Sequence, residues 1–411
     1  MPRNPSNTTG KTSGKPNNDW LPPAEGVLPD SLLREALRQG WITADDDILP
    51  NVQPASLDLR LGSVAYRLRS SFLPRNRTVN KALTDYQLGP AIPLVDGAVL
   101  EKDRPYLIPL KESLRLPHEV LARANPKSST GRLDIFTRIV VDNGSGFDEI
   151  PAGYAGPLYI EVVSRSFTIQ VAEGLSLNQI RLVHGKSSGL SDEDLKRQHA
   201  QSPLLYQYEI GGKNPRPLEA LPVSDGVFLA VDLSGDTEKI VGYRAKKNSQ
   251  LLDLSKIEHY STQEFWEPVA SDRSNRLILE PEEFYLLVSL EGVAVPPTWA
   301  GEMMAFDPTS GELRTHYAGF FDPGFGFSPA ERVLGSRAVL EVRAHDVPFA
   351  LEHTQKIARL KFENLVKPPD KLYGIEIGSS YQNQRLKVSK HFKASAPKAS
   401  RQASYLQDGM L

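Results

Sequence analysis

The chain has 411 residues, enough for two domains of ordinary size. Its net charge of −2 argues against a general electrostatic attraction to nucleic acid or to a membrane surface, and no apolar run reaches the roughly 18 residues that a membrane span requires. Cysteine is absent, which excludes disulfides and thiolate zinc sites and agrees with a cytoplasmic setting.

The first predicted element is a polar N-terminal arm, residues 1–21, which lacks the apolar segment of a secretory signal and is expected to be disordered. Residues 28–42, "LPDSLLREALRQGWI", predict a helix, with Asp30 or Ser31 as the start signal and Gly40 as the stop. Elsewhere, glycines and prolines separate short runs of Val, Ile, Leu, Phe and Tyr. This pattern predicts many short strands and a mainly β fold with a few short helices.

The stretch "NPKSSTGRL" (125–133) combines a turn-forming Asn-Pro with two cations, several hydroxyls and a glycine. Such a run is most often a surface turn. However, Lys127 and Arg132, together with the hydroxyls of Ser128 and Ser129, would also suit an anionic ligand, because charge-assisted hydrogen bonds are about twice as strong as neutral ones. The residues of the loop alone leave both interpretations open.

Three blocks of the sequence recur about 180 residues later. The matched ranges are 100–117 with 279–296 at an offset of 179, and 129–133 with 309–313 and 159–169 with 339–349 at an offset of 180. We therefore predict two copies of one β-rich unit, residues 22–205 and residues 206–395. The polar segment 184–203 would link them, and residues 396–411 would form a flexible C-terminus.

The second copy of the loop carries the opposite charge. At the offset of 180, Lys127 matches Asp307 and Arg132 matches Glu312, although the flanking framework persists. A loop that only connected two strands would have no reason to reverse both charges. The comparison favours an anion-binding role for residues 127–132.

Further motifs occur along the chain in a characteristic order. They are "PASLDLRLG" (54–62), "KSSTGR" (127–132), "YAGFFDPGFG" (317–326), a strand with "YIEV" or "VLEV", and "SSYQNQRLKVSKHF" (379–392). Together they resemble the deoxycytidine triphosphate (dCTP) deaminases, members of the dUTPase fold, in their long tandem form. The resemblance implies two distorted β-barrel or jelly-roll units and the hydrolysis of dCTP to dUTP and ammonia.

The resemblance also implies chemistry without zinc, in which a strand glutamate takes a proton from water and delivers protons to the ring nitrogen and to the leaving ammonia. Glu341 and Glu161 are both candidates for this base. Ser128 and Arg132 match the serine and arginine that help hold the water and support the charge of the site. The eight histidines include no pair three to five residues apart, which agrees with the absence of a histidine metal site.

The two copies have lost different parts of the family pattern. Copy one keeps the cationic loop, but its hairpin has Pro151 where the family has aspartate. Copy two keeps the hairpin, in which Ala318 and Asp322 match positions that meet the cytosine amino group and the sugar. We therefore expect one composite site, formed by Lys127, Ser128, Ser129 and Arg132 of copy one with Ala318, Asp322 and Glu341 of copy two.

Glu161 remains a rival to Glu341 at this point. About nine extra residues, "FSPAERVLG", separate the copy-two hairpin from Glu341, whereas copy one keeps nearly the family spacing before Glu161. In the C-terminal segment, Tyr373 and Gln384 match positions that hold the triphosphate, while Ser380 stands where a lysine is common. This segment would close over the site.

Mg²⁺ is expected only as a companion of the substrate triphosphate, because it prefers hard oxygen ligands. dTTP is a possible feedback inhibitor, and a dimer or trimer is compatible with a site that closes within one chain or between chains. Two other functions stay open: a dUTPase or bifunctional enzyme that also releases pyrophosphate, and a non-catalytic nucleotide-binding regulator that kept the fold after duplication.

Overall fold

The computed structural model describes residues 18–185, 189–208, 215–235, 240–304, 313–315, 319–328, 333–344, 346–374, 381 and 386–393. In this part of the chain, the predicted mainly β fold with a few short helices is confirmed. The described helices are too short or too polar to span a bilayer.

The first half of the chain (residues 22–205) contains a succession of antiparallel strands around one core. Its strands are β1 Gly26–Val27, β2 Ile42–Thr43, β3 Leu57–Arg60, β4 Val64–Arg67, β5 Ile92–Pro93, β6 Ala98–Leu100, β7 Tyr106–Arg115, β8 Val120–Pro126, β9 Ile135–Val141, β10 Glu149–Ile150, β11 Ala155–Ser164, β12 Ile169–Val171 and β13 Ser176–His184. Strand β14, Leu205–Gln207, begins where this half ends.

The second half (residues 206–395) has a similar succession. Its strands are β15 Arg216–Pro217, β16 Val227–Ala230, β17 Ile240–Ala245, β18 Leu252–Asp253, β19 Trp266–Ala270, β20 Arg276–Leu279, β21 Phe284–Val293, β22 Trp299–Met304, β23 Leu313–Thr315, β24 Phe320–Phe321, β25 Phe327–Ser328, β26 Val333–Leu334, β27 Ser336–Ala344, β28 Phe349–Glu352 and β29 Lys356–Asn364. The helices of the whole chain are α1 Asp30–Arg38, α2 Val79–Tyr86, α3 Ser128–Gly131, α4 Asp192–Gln201 and α5 Thr262–Phe265, with a 3₁₀ turn at Leu49–Asn51.

The two halves contain matching strand pairs. Strand β7 pairs with β11 so that Tyr106 lies opposite Val162, and β21 pairs with β27 so that Tyr285 lies opposite Val342. In the same way, β13 lies between β3 and β8, and β29 lies between β16 and β22. The long strands β7 and β21 have alternating or continuous buried positions and contribute side chains to these cores.

Helix α1 confirms the prediction for residues 28–42. It begins at Asp30 and ends before Gly40, whose φ of +70° a glycine adopts without steric cost. The Gly40 amide donates to the Leu37 carbonyl and the Trp41 amide to the Ala36 carbonyl, which is the Schellman arrangement at a helix end.

The segment 184–203, expected as a linker, contains helix α4. Ser191 caps this helix by accepting from the Asp194 amide, and Leu195 is buried in the core of the second half. At the N-terminus, Trp20 of the predicted arm packs against Trp41, with 4.6 Å between the ring centroids. Residues 1–17 lie outside the described residues.

The core of the first half also takes side chains from the second half. Strand β18 adds in parallel to β12, and Phe265, Trp266 and Phe284 are buried among first-half residues. Val388 and Phe392 of the C-terminal segment are buried in the same core. The two halves therefore share a hydrophobic core in addition to the segment that joins them.

Candidate active site

A pocket lies between the two halves, with about 600 Å³ of space including its opening to solvent. The first half contributes helix α3 and its flanks, whereas the second half contributes a segment around β24 and the middle of β27. The lining residues are Pro126, Lys127, Ser128, Gly131 and Arg132 from the first half, with Met303, Gly319, Phe320, Phe321, Asp322, Phe325, Ala338, Val339, Glu341, Tyr373 and Tyr381 from the second.

Helix α3 is a single turn that follows directly from strand β8. Lys127 is its extended N-terminal flanking residue, and the Gly131 and Arg132 amides donate to the Lys127 and Ser128 carbonyls, at 3.0 and 3.1 Å. Successive side chains in a helical turn point about 100° apart. Ser128 accordingly lines the pocket, whereas Ser129 is buried and is not among the lining residues.

Lys127 sits at the first-half edge of the pocket. Its ammonium group forms an ion pair with Asp58 of strand β3, within the "PASLDLRLG" motif. Oδ1 of Asp58 is buried and has no hydrogen-bond partner among the described residues. Because an ammonium group carries three donors, Lys127 can keep Asp58 and still donate to an oxygen of a ligand in the pocket.

Arg132 connects the cationic loop to the C-terminal segment. Its side chain is buried, Nη1 donates to the Lys387 carbonyl at 2.7 Å, and its guanidinium carbon lies 3.8 Å from the centre of the Tyr381 ring. Burial lowers the pKa of Arg132, while Tyr381 and Glu341 act in the opposite direction. The described part of the C-terminal segment therefore closes on this loop.

Glu341 is buried in the wall of the pocket, only 9% exposed, on strand β27 opposite Leu286. Burial raises its pKa well above the ordinary value, Arg132 lowers it and Asp134 raises it further. A Cβ atom at Gly131 would lie 2.9 Å from Oε2 of Glu341, so the glycine leaves room for the carboxyl group. Glu341 is therefore a carboxyl group that burial makes more basic than an exposed glutamate.

Glu161 has a different environment and does not line the pocket. It lies on β11 opposite Arg138 of β9, and the Nε atom of Arg138 donates to its Oε1 at 3.1 Å. The Arg138 guanidinium also lies 3.9 Å from the Phe147 ring centre and donates to Ser71 Oγ at 2.8 Å. The structure thus brings Glu341, and not Glu161, together with Ser128 and Arg132.

Asp322 enters the pocket from the 319–325 segment and is buried. Burial raises the pKa of Asp322, and Arg181, 3.2 Å away, lowers it. Tyr373 lines the same wall; its amide donates to the Pro323 carbonyl at 2.8 Å, and burial raises its pKa. Ala318, Ser380 and Gln384 lie outside the described residues.

Several residues at the pocket have no role in the sequence-based prediction. Gly131 and Asp58 lie within two of the motifs that carry the resemblance, which marked them as candidates. Their contacts with Glu341 and Lys127 could not be inferred from the sequence. Arg181 gives a different signal, a cation within the apolar strand sequence "QIRLV". Within the described part of the chain, no three His, Asp or Glu side chains converge as a metal-binding group.

The sequence matches two family models, described as the N-terminal and the C-terminal domain of 2'-deoxycytidine 5'-triphosphate deaminase. The first model covers residues 24–186 and the second covers residues 191–392. The chain belongs to the dCTP deaminase family. The N-terminal model thus includes the cationic loop, and the C-terminal model includes Asp322 and Glu341, so each family domain supplies part of the pocket.

A crystal structure of 2'-deoxycytidine 5'-triphosphate deaminase from Agrobacterium tumefaciens is 45% identical, with a TM-score of 0.77, and the match covers 83% of this chain and 99% of that chain. A dCTP deaminase of Sulfurisphaera tokodaii is 27% identical over 151 residues, which are 36% of this chain and 74% of the relative. A protein of Halobacterium salinarum named "dCTP deaminase, dUMP-forming" is 33% identical over 132 residues, which are 31% of this chain and 60% of that relative.

Proposed function

We propose that this member of the family hydrolyses dCTP to dUTP and ammonia in the pocket between its two halves. The observation that carries the proposal is the meeting of the cationic loop, with Lys127, Ser128 and Arg132, and the buried carboxyl groups of Asp322 and Glu341. The first half contributes the cationic loop to this pocket, and the second half contributes the two carboxyl groups. The names of the relatives, all dCTP deaminases, agree with this activity.

Glu341 is the proposed general base, and its placement in the pocket favours it over Glu161. As a carboxylate it takes one proton from the attacking water and, as a carboxylic acid, passes it to the cytosine ring nitrogen. It then takes the second proton of that water, from the hydroxyl group now on the ring carbon, and passes it to the amino group, which leaves as ammonia while the ring carbonyl forms. Burial raises the pKa of Glu341, which favours uptake of a proton by its carboxylate. Arg132 supports the carboxylate electrostatically, and the Ser128 hydroxyl helps to hold the water.

The remaining groups hold the substrate. Lys127, Tyr373 and Gln384 are proposed to contact the triphosphate. Ser129, which the resemblance also assigns to the phosphates, is buried outside the pocket lining, so we propose for it only a contact within the loop, where its carbonyl accepts from Ser389. Ala318 would meet the cytosine amino group through its carbonyl, and Asp322 would accept a hydrogen bond from the sugar hydroxyl. Mg²⁺ would arrive with the triphosphate as part of the substrate, since phosphate oxygens supply its ligands and the chemistry at the ring needs no protein-bound metal.

Finer features of this proposal follow from the matching strand pairs of the two halves. They support two dUTPase-like β-barrel or jelly-roll units in tandem within one chain. Because one chain lines the whole described pocket, the site would close within the chain, whatever the oligomeric state. Independently of the strand pairs, we also propose that the protein acts in the cytoplasm and that dTTP inhibits it by feedback.

A second candidate is a bifunctional enzyme that converts dCTP to dUMP. The relative from Halobacterium salinarum and a relative from Methanobrevibacter smithii, 24% identical over 143 residues, both carry the words "dUMP-forming" in their names. The test incubates the purified chain with dCTP and Mg²⁺ and measures ammonia, dUTP, dUMP and pyrophosphate. Ammonia with dUTP supports the deaminase, ammonia with dUMP and pyrophosphate supports the bifunctional enzyme, and binding of dCTP without ammonia contradicts both.

A further inference from the structure

Arg181 is a fully buried cation of strand β13 in the first half, with 0% of its side chain exposed. Burying a guanidinium is unfavourable unless it is paired and hydrogen-bonded. Its partners are all in the second half: Nη1 donates to the Gly301 carbonyl at 2.8 Å, and Nη2 donates to the Phe321 carbonyl at 3.0 Å and to Asp322 Oδ1 at 3.2 Å. The first half thus places a charge inside the second.

These contacts converge on the wall of the pocket. Gly301 and Phe321 face each other in the β22–β24 pair, which has two residue pairs in the described part of the chain, and Arg181 donates to the carbonyls of both. The guanidinium carbon also lies 4.0 Å from the centre of the Phe320 ring, within the range of a cation–π contact. Main-chain hydrogen bonds, such as those from the Met303 amide to the Gly319 carbonyl and from the Gly324 amide to the Val295 carbonyl, tie this segment to the second half, and Arg181 ties it to the first.

The burial of Arg181 leaves one of its nitrogens without a hydrogen bond in the described structure. Its Nε atom is buried and has no hydrogen-bond partner among the described residues. A neighbouring arginine on the adjacent strand, Arg123, lies opposite Arg181 and also reaches into the second half, where it pairs with Glu302 and Glu363. Neither arginine lines the pocket, but Arg181 contacts the 319–325 segment directly, whereas Arg123 pairs with carboxylates of β22 and β29.

We propose that Arg181 is a positioning residue for the reaction: it fixes the 319–325 segment and orients the Asp322 carboxylate toward the sugar of the nucleotide. The sugar of dCTP has a single free hydroxyl, the 3′-hydroxyl, which would donate a hydrogen bond to an oxygen of the Asp322 carboxyl group. The proposal deepens the proposed function, because it assigns the recognition of that hydroxyl to a contact between the halves. Arg181 itself touches the protein and not the substrate.

The test compares Arg181→Met with Arg123→Met, which removes a cation from the same interface without touching the 319–325 segment. Each variant is assayed with dCTP and with 2′,3′-dideoxy-CTP, which lacks the hydroxyl. We expect Arg181→Met to lower kcat/KM for dCTP by about 100-fold, as a displaced binding group does, and to change the dideoxy substrate far less. Arg123→Met should keep the native preference for dCTP.

A double-mutant cycle with Asp322→Asn separates positioning from general damage. If Arg181 acts through Asp322, the double variant Arg181→Met/Asp322→Asn is no worse than Asp322→Asn alone. Additive losses, an equal loss for both nucleotides, or the same loss in Arg123→Met would overturn the proposal. If Arg181→Met does not fold, the cycle is run with Arg181→Lys, which keeps the charge and loses the two-pronged contact.

Calorimetry gives the dissociation constants of both nucleotides. These constants test the role of Arg181 even if the protein does not turn over dCTP. If the native chain releases no ammonia from dCTP, the proposed function fails. The assignment of Arg181 then stands or falls on whether Arg181→Met removes the difference in affinity between dCTP and its dideoxy analogue. An unchanged difference in affinity would contradict it.

Discussion

Gly131 offers a direct test of Glu341, because the three atoms nearest to an added methyl group all belong to the Glu341 carboxyl group. The Cβ of an alanine at position 131 would lie 2.9 Å from Oε2, 3.0 Å from Oε1 and 3.1 Å from Cδ of Glu341. Ordinary contacts begin at about 3.4 Å, so the carboxyl group has to move by about 0.5 Å. Gly131 has no positive φ, and its backbone therefore accepts alanine without strain.

The expected result is a loss of activity without a loss of stability. A misplacement of about 1 Å in a catalytic group can cost about 100-fold in rate, so about 0.5 Å should lower kcat by about 10-fold. The free energy of unfolding should stay constant or rise by a few tenths of a kcal/mol, because alanine restricts the unfolded chain more than glycine does. Steady-state ammonia release from dCTP and urea unfolding measure the two quantities.

Gly189→Ala serves as the matched control, since its Cβ would meet only the Phe362 carbonyl at 3.7 Å. This variant should keep native kcat. If Gly131→Ala also keeps native kcat within about twofold, the Glu341 carboxyl group is not the general base or its position is unimportant. A fall in both kcat and stability would show that the methyl group disturbs the fold instead.

Three further predictions concern the site and the C-terminal segment. Glu341→Gln should lower kcat by at least about 100-fold, whereas Glu161→Gln should stay within about threefold of native turnover; an inactive Glu161→Gln beside an active Glu341→Gln would reverse the assignment. Lys127→Met should raise KM for dCTP by about 10-fold or more with little change in kcat, because a charge-assisted contact to phosphate is lost, and an unchanged KM would remove Lys127 from the phosphate site. Burial lowers the pKa of His391 to about 4 from its ordinary value near 6.5. Between these pH values the unfolded chain binds a proton that the folded chain does not, so the free energy of unfolding decreases by about 3 kcal/mol as the pH falls from 6.5 to 4. In urea unfolding across that range, the difference between native protein and His391→Asn should shrink with falling pH, and a constant difference would contradict the shift.

Several residues of the site could be predicted from the sequence, because charge reversal between the copies and the order of the motifs are properties of the sequence itself. The reversal of Lys127 and Arg132 to Asp307 and Glu312 pointed to one functional loop, and the matched hairpin pointed to Asp322. The structure places Lys127, Arg132 and Asp322 on one pocket. Helix α1 was also predictable, since its stop signal is a local property of Gly40.

Contacts between distant segments could not be read in the same way. The spacing before the two glutamates favoured Glu161, and the composite site favoured Glu341. The decisive difference in the structure is the pairing of Glu161 with Arg138, which depends on the register of β9 and β11. Polarity suggested a linker at residues 184–203, yet Leu195 is buried by residues far along the chain. Such burial follows from tertiary packing, which overrides local composition.

The C-terminal segment makes the order of synthesis matter for this protein. Arg132 and the Lys387 carbonyl that it contacts are 255 residues apart, and Ser389 Oγ donates at 2.7 Å to the Ser129 carbonyl, 260 residues away. The cationic loop leaves the ribosome long before either partner, so a growing chain lacks both contacts until residues 387 and 389 are made. A truncated product without residues 386–393 would hold the loop without its C-terminal cover.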